Sequence, residues 1–326
     1  MTWPEIWYGG SAGAKVIRTL LTPASWLYAL GWSGYRALYD LGIKQPKSPH
    51  APVLVVGNLT VGGSGKTPLT VYVAQEIVAL GRTVVISASG YGGPHSEGAT
   101  LAPDGPLDPS VWGDEPALLR LLLPGVPLIV GRARVHAAEL MSRLHSDGVL
   151  LLDDGFQHLP LAKTASIVID PPSKNHACLP AGPYREPHGN LKRADIVVGE
   201  GSAFRLESIP LGFESLSALG SGPFEGIGDR EADVLCAIGR PEVFIESLRG
   251  QGVRIRRTFT LPDHSGFDAL DWTALKDPII VTAKDGVKLL KNPEAQNREV
   301  FVARHTVSVE PALAFSQKLK EMIAPR

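Results

Sequence analysis

A strand, a glycine-rich loop and the first turn of a helix are indicated by Val53-Leu-Val-Val-Gly-Asn-Leu-Thr60-Val-Gly-Gly-Ser-Gly-Lys66-Thr67-Pro68. The apolar run before the loop is typical of a buried strand, and Pro68 suits a first helical turn because its missing N–H costs nothing there. Glycines let a backbone wrap closely around phosphates, and the amides at a helix N-terminus face the anion. The stretch therefore predicts a phosphate-binding loop of the P-loop type.

The predicted nucleotide-binding residues are the members of this loop: Thr60, Val61, Gly62, Gly63, Ser64, Gly65, Lys66 and Thr67. Lys66 is expected to reach the β- and γ-phosphates of ATP, and the Thr67 hydroxyl to hold Mg²⁺. Thr60 stands where the full motif has glycine. Val61 stands where some dimerising P-loop ATPases have a lysine that reaches across the dimer, which argues against a nucleotide-gated dimer switch.

Length, charge and cysteine content narrow the class of protein. A chain of 326 residues favours two domains. The 32 basic and 33 acidic residues give a net charge of −1, so no nucleic-acid partner is indicated. Cys178 and Cys236 form no metal or disulfide pattern, and we expect buried thiols in a reducing cytoplasmic setting.

The N-terminal stretch 16–43 is rich in Leu, Trp and Tyr and has no charged residue between Arg18 and Arg36. It does not have the form of a signal peptide. Pro23, Gly31 and Gly34 interrupt it, so a membrane-spanning helix is not expected. Two interpretations stay open: an interfacial membrane helix, or a helix packed on its own domain. The basic flanks that the first interpretation requires are Lys15, Arg18, Arg36 and Lys44.

Segments with strand and helix character alternate along the rest of the chain. Strands are predicted at 53–56, 83–86, 126–130, 149–152, 166–169, 195–198, 233–238, 253–259, 278–282 and 300–307. Helices are predicted at 68–80, 115–123, 134–145, 241–249, 269–275 and 311–322. The fold class is therefore α/β: a P-loop NTPase-like parallel sheet with helices on both faces, plus a second, smaller α/β domain.

Three regions are predicted from this pattern. Residues 1–45 form an N-terminal helical segment, 46–205 the domain that contains the phosphate loop, and 206–326 the smaller α/β domain. The stretch 199–230 is rich in Gly, Ser and Pro and is interpreted as the connection between domains.

Asp153 follows a buried apolar strand, at the carboxyl end where open α/β sheets bind ligands. It is a candidate for the aspartate that holds Mg²⁺ near Thr67. Three neighbours, Asp154, Gln157 and His158, are expected on the same rim.

Two other polar strings allow two interpretations each. In Gly113-Asp114-Glu115-Pro116 the acidic pair precedes a helix, where Asp114 could cap the N-terminus or act as a catalytic carboxylate. In Pro262-Asp263-His264, the histidine could be a solvent-exposed member of an Asx-turn or a catalytic group. Local pattern favours the structural interpretation at both sites. Thr282-Ala-Lys-Asp285 falls short of a guanine-binding motif, which favours adenine.

These strings occur together, and in this order, in one family. Thr60 to Pro68, Gly113-Asp-Glu-Pro116, Asp153-Asp-Gly-Phe-Gln-His158, Pro180-Ala-Gly-Pro-Tyr-Arg185-Glu-Pro187 and Pro262-Asp-His264 make the chain resemble the tetraacyldisaccharide 4′-kinases of Gram-negative bacteria. The likeness runs from the N-terminal helix to Leu290.

The resemblance implies ATP- and Mg²⁺-dependent phosphorylation of the 4′-hydroxyl of tetraacyldisaccharide 1-phosphate, which gives the lipid A precursor lipid IVA. It implies work at the cytoplasmic face of the inner membrane, as a peripheral or monotopic protein, with no obligate protein partner. Asp114 is the implied base, oriented or activated by His264 from the smaller domain, with Lys66 as the third catalytic residue. Glu115 and Asp153 join Thr67 at the metal, and Asp154, Gln157, His158 and Arg185 lie on the phosphate or substrate rim.

The chain also departs from the family pattern at three places. Ser89 replaces an arginine, Arg240 replaces an asparagine, and Ala283 replaces a glutamate. The loss at Ser89 could weaken charge stabilisation unless Arg132, Arg134 or Arg185 compensates. Two alternative functions remain: a nucleotide-gated binding module of the metallochaperone type, and a soluble small-molecule kinase.

Overall fold

The structure, a computed structural model, describes residues 1–63 and 65–324. Its helices are α1 Trp3–Tyr8, α2 Ala12–Asp40, α3 Lys66–Ala79, α4 Pro109–Trp112, α5 Asp114–Leu122, α6 Arg134–Leu144, α7 Pro241–Gly250, α8 Ala283–Leu289, α9 Pro293–Gln296 and α10 Ala312–Met322. Its strands are β1 Val53–Asn58, β2 Val84–Ala88, β3 Thr100–Leu101, β4 Leu128–Val130, β5 Val149–Asp153, β6 Ala165–Asp170, β7 Ile196–Gly199, β8 Arg205–Ser215, β9 Glu231–Cys236, β10 Arg254–Thr260, β11 Ile279–Thr282 and β12 Val300–Glu310.

The chain divides into two compact units. The first contains Met1–Ser87, Arg134–Leu206 and Val309–Arg326, and the second contains Ala88–Ala133 and Glu207–Ser308. Residues 88–133 therefore group with the later part of the chain rather than with the P-loop. The domain boundary predicted at residue 205 was drawn from the sequence pattern, and it stays a prediction.

The first unit is built on parallel strands in the order β2-β5-β1-β6-β7. The central strands are apolar and fully buried, as expected where helices cover both faces of a parallel sheet. In the register of β1 and β5, Val56 lies opposite Asp153. The phosphate loop therefore follows β1, and Asp153, the candidate for the aspartate that holds Mg²⁺, ends the adjacent strand β5 at the same edge of the sheet.

The N-terminal segment forms one long helix, α2, in which Pro23 is an interior residue. The prediction that Pro23, Gly31 and Gly34 interrupt this stretch is wrong. A helix of 29 residues tolerates the loss of one backbone hydrogen bond at proline, because packing along its length holds it. No helix among residues 1–63 and 65–324 is long and apolar enough to span a membrane.

One face of α2 packs on the segment around residues 178–190. The buried Ser25 hydroxyl donates to the Cys178 carbonyl at 2.8 Å and accepts from the Ala181 amide at the same distance. Tyr28 donates to the Arg185 carbonyl at 2.9 Å. The interpretation of a helix packed on its own domain is therefore correct for this face.

The opposite face of α2 carries a stripe of exposed apolar side chains. Val16, Leu20, Leu27 and Leu30 recur at i, i+4, i+11 and i+14, which places them on one side of a helix. Their exposed fractions are 58%, 74%, 70% and 69%. We call these four residues the α2 stripe.

The second unit contains a sheet with the order β10-β9-β11-β12-β8, and the antiparallel pair β3–β4. β9, β10, β11 and β12 run parallel, and apolar residues of β9 and β11 form its core. Helices α5 and α8 pack against each other. That contact brings the start of the Gly-Asp-Glu-Pro helix close to residues that lie far away in sequence.

Several elements of the second unit differ from the sequence prediction, among them the short β3, α4 and α9, which were not predicted. β8 lies inside the stretch interpreted as a connection, because Pro210 and Gly212 hide its strand character. The helix predicted at 269–275 is only a 3₁₀ turn, Trp272–Ala274. Helix α8 was not predicted at all; Thr282 caps it by accepting a hydrogen bond from the Asp285 amide.

Candidate active site

The predicted phosphate loop has the backbone that such a loop requires. The left-handed conformations fall on Gly62, with φ of +93°, and Gly65, with φ of +84°. Gly65 is also the N-cap of α3, so the helix begins directly at Lys66. The amides of this turn and the helix N-terminus form a ready anion site. The predicted contact of Ser64 lies outside the described residues.

Thr60 and Val61 have a different position from the rest of the loop. Thr60 is buried and pairs with Tyr184 in an antiparallel bridge, and its hydroxyl accepts from the Asn58 amide group at 3.1 Å. The Val61 amide donates to the Pro183 carbonyl at 2.8 Å, so it is already engaged by protein. The Val61 amide is therefore not available to a phosphate, and Thr60 and Val61 are tied to the segment that contains Pro183 and Tyr184.

Lys66 lies beside an acidic residue of the rim. Its Nζ is 3.7 Å from Oδ2 of Asp154, and Arg185 makes a bidentate contact to the same carboxylate at 3.0 and 3.1 Å. Burial raises the pKa of Asp154, but the charges of Lys66 and Arg185 outweigh that effect and hold the pKa below its ordinary value. Asp154 is therefore ionised and keeps the lysine and the arginine together.

Asp153 is almost fully buried at the end of β5, where its Oδ1 accepts a hydrogen bond from the Thr70 hydroxyl at 2.8 Å. Arg134 donates to the backbone carbonyl of Asp153 at 2.7 Å and to the Ser87 hydroxyl at 2.8 Å. The carboxylate is thus fixed at the strand end, one strand away from the loop that carries Thr67.

The donors available to a metal fit Mg²⁺, because they are carboxylate and hydroxyl oxygens. Within the described residues, no group of three or more His, Cys, Asp or Glu side chains is placed to hold a metal ion unaided. Mg²⁺ is normally bound by one or two carboxylates, waters and phosphate oxygens, so such a cluster is not needed. Of the predicted metal ligands, Thr67 and Asp153 lie in the first unit, and Glu115 lies in the first turn of α5 in the second.

The two remaining rim residues differ in chemistry. Gln157 donates through Nε2 to the Asn58 carbonyl at 2.8 Å and to Oε1 of Glu186 at 3.0 Å. Burial, together with the charges of Arg134 and Lys163, lowers the pKa of His158 to about 4. His158 is therefore neutral at pH 7.

In the second unit, Gly113 is the N-cap of α5 and Asp114 is the first helical residue, so Asp114 does not serve as the cap. Gly113 has φ of +89°, and a Cβ there would lie 2.8 Å from the Tyr91 carbonyl oxygen. Glycine is therefore required next to Asp114. The capping interpretation of Asp114 is wrong.

Asp114 contacts two basic side chains through one oxygen. Its Oδ2 lies 3.2 Å from Nδ1 of His264 and 3.4 Å from Nζ of Lys288. Burial raises the pKa of Asp114, but the hydrogen bond from His264 and the charge of Lys288 lower it further than burial raises it. The carboxylate is ionised, and its other oxygen, Oδ1, can accept a proton.

The sequence places Asp114 and His264 in different domains, whereas both belong to the second compact unit. His264 does lie in a turn: its amide donates to Asp263 Oδ1 at 3.0 Å, and its φ is +64°. A positive φ is uncommon for a residue other than glycine, and such strain often marks functional positions. The ring is not free in solvent, since it contacts Asp114.

Comparison with known proteins gives a consistent result. A family model described as tetraacyldisaccharide-1-P 4′-kinase matches residues 17–324. The tetraacyldisaccharide 4′-kinase of Chromobacterium violaceum is 36% identical over 315 residues, covering 91% of this chain and 92% of that protein. The one from Geobacter metallireducens is 34% identical over 302 residues, covering 84% and 89%.

The chain belongs to the tetraacyldisaccharide 4′-kinase family.

A solved member of the tetraacyldisaccharide 4′-kinases has the same fold. The crystal structure of the "apo" form of LpxK from Aquifex aeolicus in complex with ATP superposes with a TM-score of 0.80 at 27% identity, covering 94% of this chain and all of that one. The predicted family, fold class and kinase activity are thereby confirmed. The interpretation as a nucleotide-gated binding module finds no support.

The structure shows the contacts of two residues that depart from the 4′-kinase pattern, Ser89 and Arg240. Ser89 accepts a long hydrogen bond of 3.4 Å from the Tyr91 amide, and the Arg132 guanidinium lies 5.3 Å from the centre of the Tyr91 ring. Arg240 forms a surface ion pair with Glu242 at 3.5 Å. Of the three arginines considered as substitutes at position 89, Arg134 and Arg185 are engaged with Asp153 and Asp154 as described above.

Sequence reasoning missed a fully buried carboxylate, Glu186, which joins several elements of the 4′-kinase fold. Its Oε2 accepts from Trp32 at 3.0 Å, Asn190 at 2.8 Å and Arg193 at 2.6 Å. Its Oε1 accepts from Gln157, as described above. Its position next to Arg185 in the family string was the available signal.

Lys284 and Lys288 were also missed as site residues. The sequence stretch that contains Lys284 was considered only as an incomplete guanine motif. The two lysines are spaced i, i+4 after the Thr282 cap, so they lie on one face of α8. The i, i+4 spacing could be read from the sequence, but it places the two lysines in the site only because α8 packs against α5.

Proposed function

We propose that the chain transfers the γ-phosphoryl group of ATP to the 4′-hydroxyl of tetraacyldisaccharide 1-phosphate and so forms lipid IVA. The observation that carries the proposal is the pair made by Asp114 and His264, in a chain of this family that also presents an intact phosphate loop. Acceptor deprotonation and phosphate binding are the two functions that a kinase must supply.

Nucleotide binding is assigned to the loop from Gly62 to Thr67. Its amides and the N-terminus of α3 hold the phosphates, and Lys66 neutralises charge that develops on the β- and γ-phosphates. Lys66 Nζ lies 3.7 Å from Asp154 Oδ2. Asp154 and Arg185 then keep the lysine close to the loop, ready for an incoming phosphate.

Asp114 is assigned as the base. As the 4′-oxygen bonds to the γ-phosphorus, the bond from that phosphorus to the β,γ-bridging oxygen breaks, and the hydroxyl proton moves to Asp114. His264 and Lys288 contact Oδ2, which leaves Oδ1 to accept the proton. Mg²⁺ would be held by Thr67 and Asp153 and would supply charge neutralisation on the phosphates, while the role of Glu115 at the metal stays a prediction.

Work at a membrane surface is supported by the α2 stripe. Four exposed apolar side chains on one helix face, opposite the packed face, are the pattern of an interfacial helix. Of the four basic flanks, Lys15 and Lys44 are exposed, whereas Arg18 donates to the Ile6 carbonyl and Arg36 to Asn190. We assign the chain to the cytoplasmic face of the inner membrane, as a peripheral or monotopic protein without an obligate protein partner.

The direct test is incubation with labelled ATP, Mg²⁺ and a tetraacyldisaccharide monophosphate, scored for a bisphosphorylated lipid. Asp114→Asn should reduce transfer by on the order of a hundredfold or more while ATP binding persists. Asp268→Asn, an equal change of charge on an exposed residue near His264, is the control and should behave as wild type. Normal turnover by Asp114→Asn would refute the assignment of the base.

The same assay separates the lipid kinase from a soluble small-molecule kinase. A lipid kinase turns over ATP only when the lipid disaccharide is present, and detergent or vesicles change its rate. Equal turnover of a water-soluble sugar without acyl chains would favour the alternative.

A further inference from the structure

Lys284 touches the catalytic histidine from the side opposite Asp114. Its Nζ lies 3.2 Å from Nε2 of His264, while Nδ1 of the same ring lies 3.2 Å from Asp114 Oδ2. The side chain of Lys284 is only 18% exposed. The imidazole is therefore held at both nitrogens, once by an ammonium group and once by a carboxylate.

The chemistry of the two partners decides where the proton of the ring lies. An ammonium group has three N–H donors and no acceptor, so Nε2 must accept a hydrogen bond from Lys284. A neutral imidazole that accepts at one nitrogen carries its proton on the other. That nitrogen, Nδ1, lies within hydrogen-bond distance of Asp114 Oδ2, which accepts from it. The contacts are mutually consistent only for a neutral His264 with the proton on Nδ1.

Asp263 holds this arrangement in place. Its Oδ1 accepts from Lys284 Nζ at 2.9 Å and from the His264 amide at 3.0 Å. One carboxylate oxygen thus fixes both the ammonium group and the backbone of the histidine, which has the left-handed φ noted above. Lys288, one turn further along α8, lies 3.3 Å from the buried Asp285 and also contacts Asp114.

We propose that Lys284 is a positioning residue that holds His264 as the neutral Nδ1–H tautomer. His264 then donates a fixed hydrogen bond to Asp114 and orients it, and it does not relay the proton onward, because Nε2 is occupied. The reaction that this serves is the proposed kinase step, so the inference rests on that function. The proton taken from the acceptor hydroxyl stays on Asp114 until product leaves.

The tautomer can be measured without any catalysis. In the full chain labelled with ¹⁵N-histidine, the His264 signals are assigned by their loss in His264→Gln. We expect Nδ1 of wild type to show a protonated nitrogen and Nε2 an unprotonated one. In Lys284→Met, Nε2 should gain a proton. A protonated Nε2 in wild type, or a spectrum that Lys284→Met leaves unchanged, would overturn the inference.

Kinase measurements add the functional side. Lys284→Met should lower kcat on the order of tenfold with little change in the KM for ATP, because binding of the nucleotide does not involve this residue. Lys291→Met is the matched control, since Lys291 is exposed and pairs only with Asp108 at 2.7 Å in the described chain. The control should keep both the wild-type rate and the wild-type spectrum.

The two ideas fail in different ways. If the wild type shows the Nδ1–H tautomer and Lys284→Met loses it, but no lipid is phosphorylated, the proposed function is wrong and the role of Lys284 in fixing the ring stands. If lipid is phosphorylated but the tautomer does not depend on Lys284, the inference is wrong and the proposed function stands. If Lys284→Met folds poorly, the wild-type spectrum still decides against the inference when it shows a protonated Nε2.

Discussion

The indole Nε1 of Trp32, on helix α2, donates a hydrogen bond of 3.0 Å to Oε2 of Glu186. Glu186 also accepts from Gln157, whose amide group reaches the end of β1 just before the phosphate loop. A buried carboxylate therefore connects the N-terminal helix to the rim of the nucleotide site. Trp32 lies 154 residues before Glu186 in the sequence, whereas Gln157, the most distant of the other partners, lies 29 residues before it.

Glu186→Ala should destabilise the protein strongly. The change leaves Arg193 and the donors of Trp32 and Asn190 without their acceptor, and loss of one partner of a buried pair costs roughly 3 kcal/mol. Trp32→Phe removes a single donor and should cost about 1 kcal/mol. Urea unfolding of both variants checks the difference. Equal losses would show that Glu186 does not act as the centre of this cluster.

Lys163 should make the free energy of unfolding depend on pH. Burial and the charge of Arg193 lower its pKa to about 7, against the opposing charge of Glu186. An unfolded lysine keeps its proton up to about pH 10, so between pH 7 and 10 the unfolded chain binds more protons. The free energy of unfolding therefore rises with pH across that window, and the destabilisation caused by charged, buried Lys163 is at its full size at about pH 7 and below.

Lys163→Met isolates this effect, because the other titrating groups are the same in both proteins. The free energy of unfolding of wild type, minus that of Lys163→Met, should increase with pH by at most about 1.4 kcal/mol per pH unit. Urea unfolding of both proteins at about pH 6.5, about pH 8 and about pH 9.5 measures this difference across the window. A difference that stays constant would contradict the lowered pKa.

Gly65→Ala should weaken ATP binding more than it weakens the fold. Alanine at φ of +84° costs roughly 1–2 kcal/mol, and relief of that strain moves the loop amides away from the phosphates. We expect the KM for ATP to rise on the order of tenfold or more. Gly81→Ala is the control: Gly81 has φ of +75° at the other end of α3, so it carries similar strain without touching the loop. A similar change in the KM from both variants would argue against a direct role for the loop geometry.

Leu27→Gln should weaken membrane binding. Leu27 belongs to the α2 stripe and is 70% exposed, so it can enter a bilayer without unfolding anything. Losing the burial of one leucine side chain is worth about 2 kcal/mol, or more than tenfold in partition to anionic phospholipid vesicles. Leu313→Gln on α10, where leucine is 89% exposed, should have no effect in the same sedimentation assay. Equal binding by all three proteins would exclude the stripe as the contact.

The fold of the first unit could be predicted because its signals are local. β1 and β5 begin with four apolar residues each, 53–56 and 149–152, and the loop glycines stand directly between a strand and a helix. β8 could not be found in this way, since most of its residues are exposed and its place in the sheet depends on the pairing with β12. β8 is a strand because it pairs with β12, about ninety residues later, and a local sequence pattern does not reveal such a distant pairing.

The chemistry of Asp114 was equally hidden from local reasoning. An aspartate before a helix is usually a cap, and only the contact with His264, which lies 150 residues later, separates the two roles. The role of Lys284 was also hidden from local sequence, because it depends on the packing of α8 against α5. The resemblance to a known family supplied Asp114 and His264, because family motifs carry long-range information that periodicity does not.

The segment around residues 178–186 is bound on two sides. On one side, Trp7 of α1 donates to the Pro180 carbonyl at 2.9 Å, and Ser25 of α2 donates to the Cys178 carbonyl. On the other side, Thr60 and Val61 of the loop pair with Tyr184 and Pro183. Deleting the first forty residues would thus strip donors from the wall that aligns the nucleotide loop. A detergent-free form for crystallisation is better sought by recoding the outward leucines of α2 than by trimming the terminus.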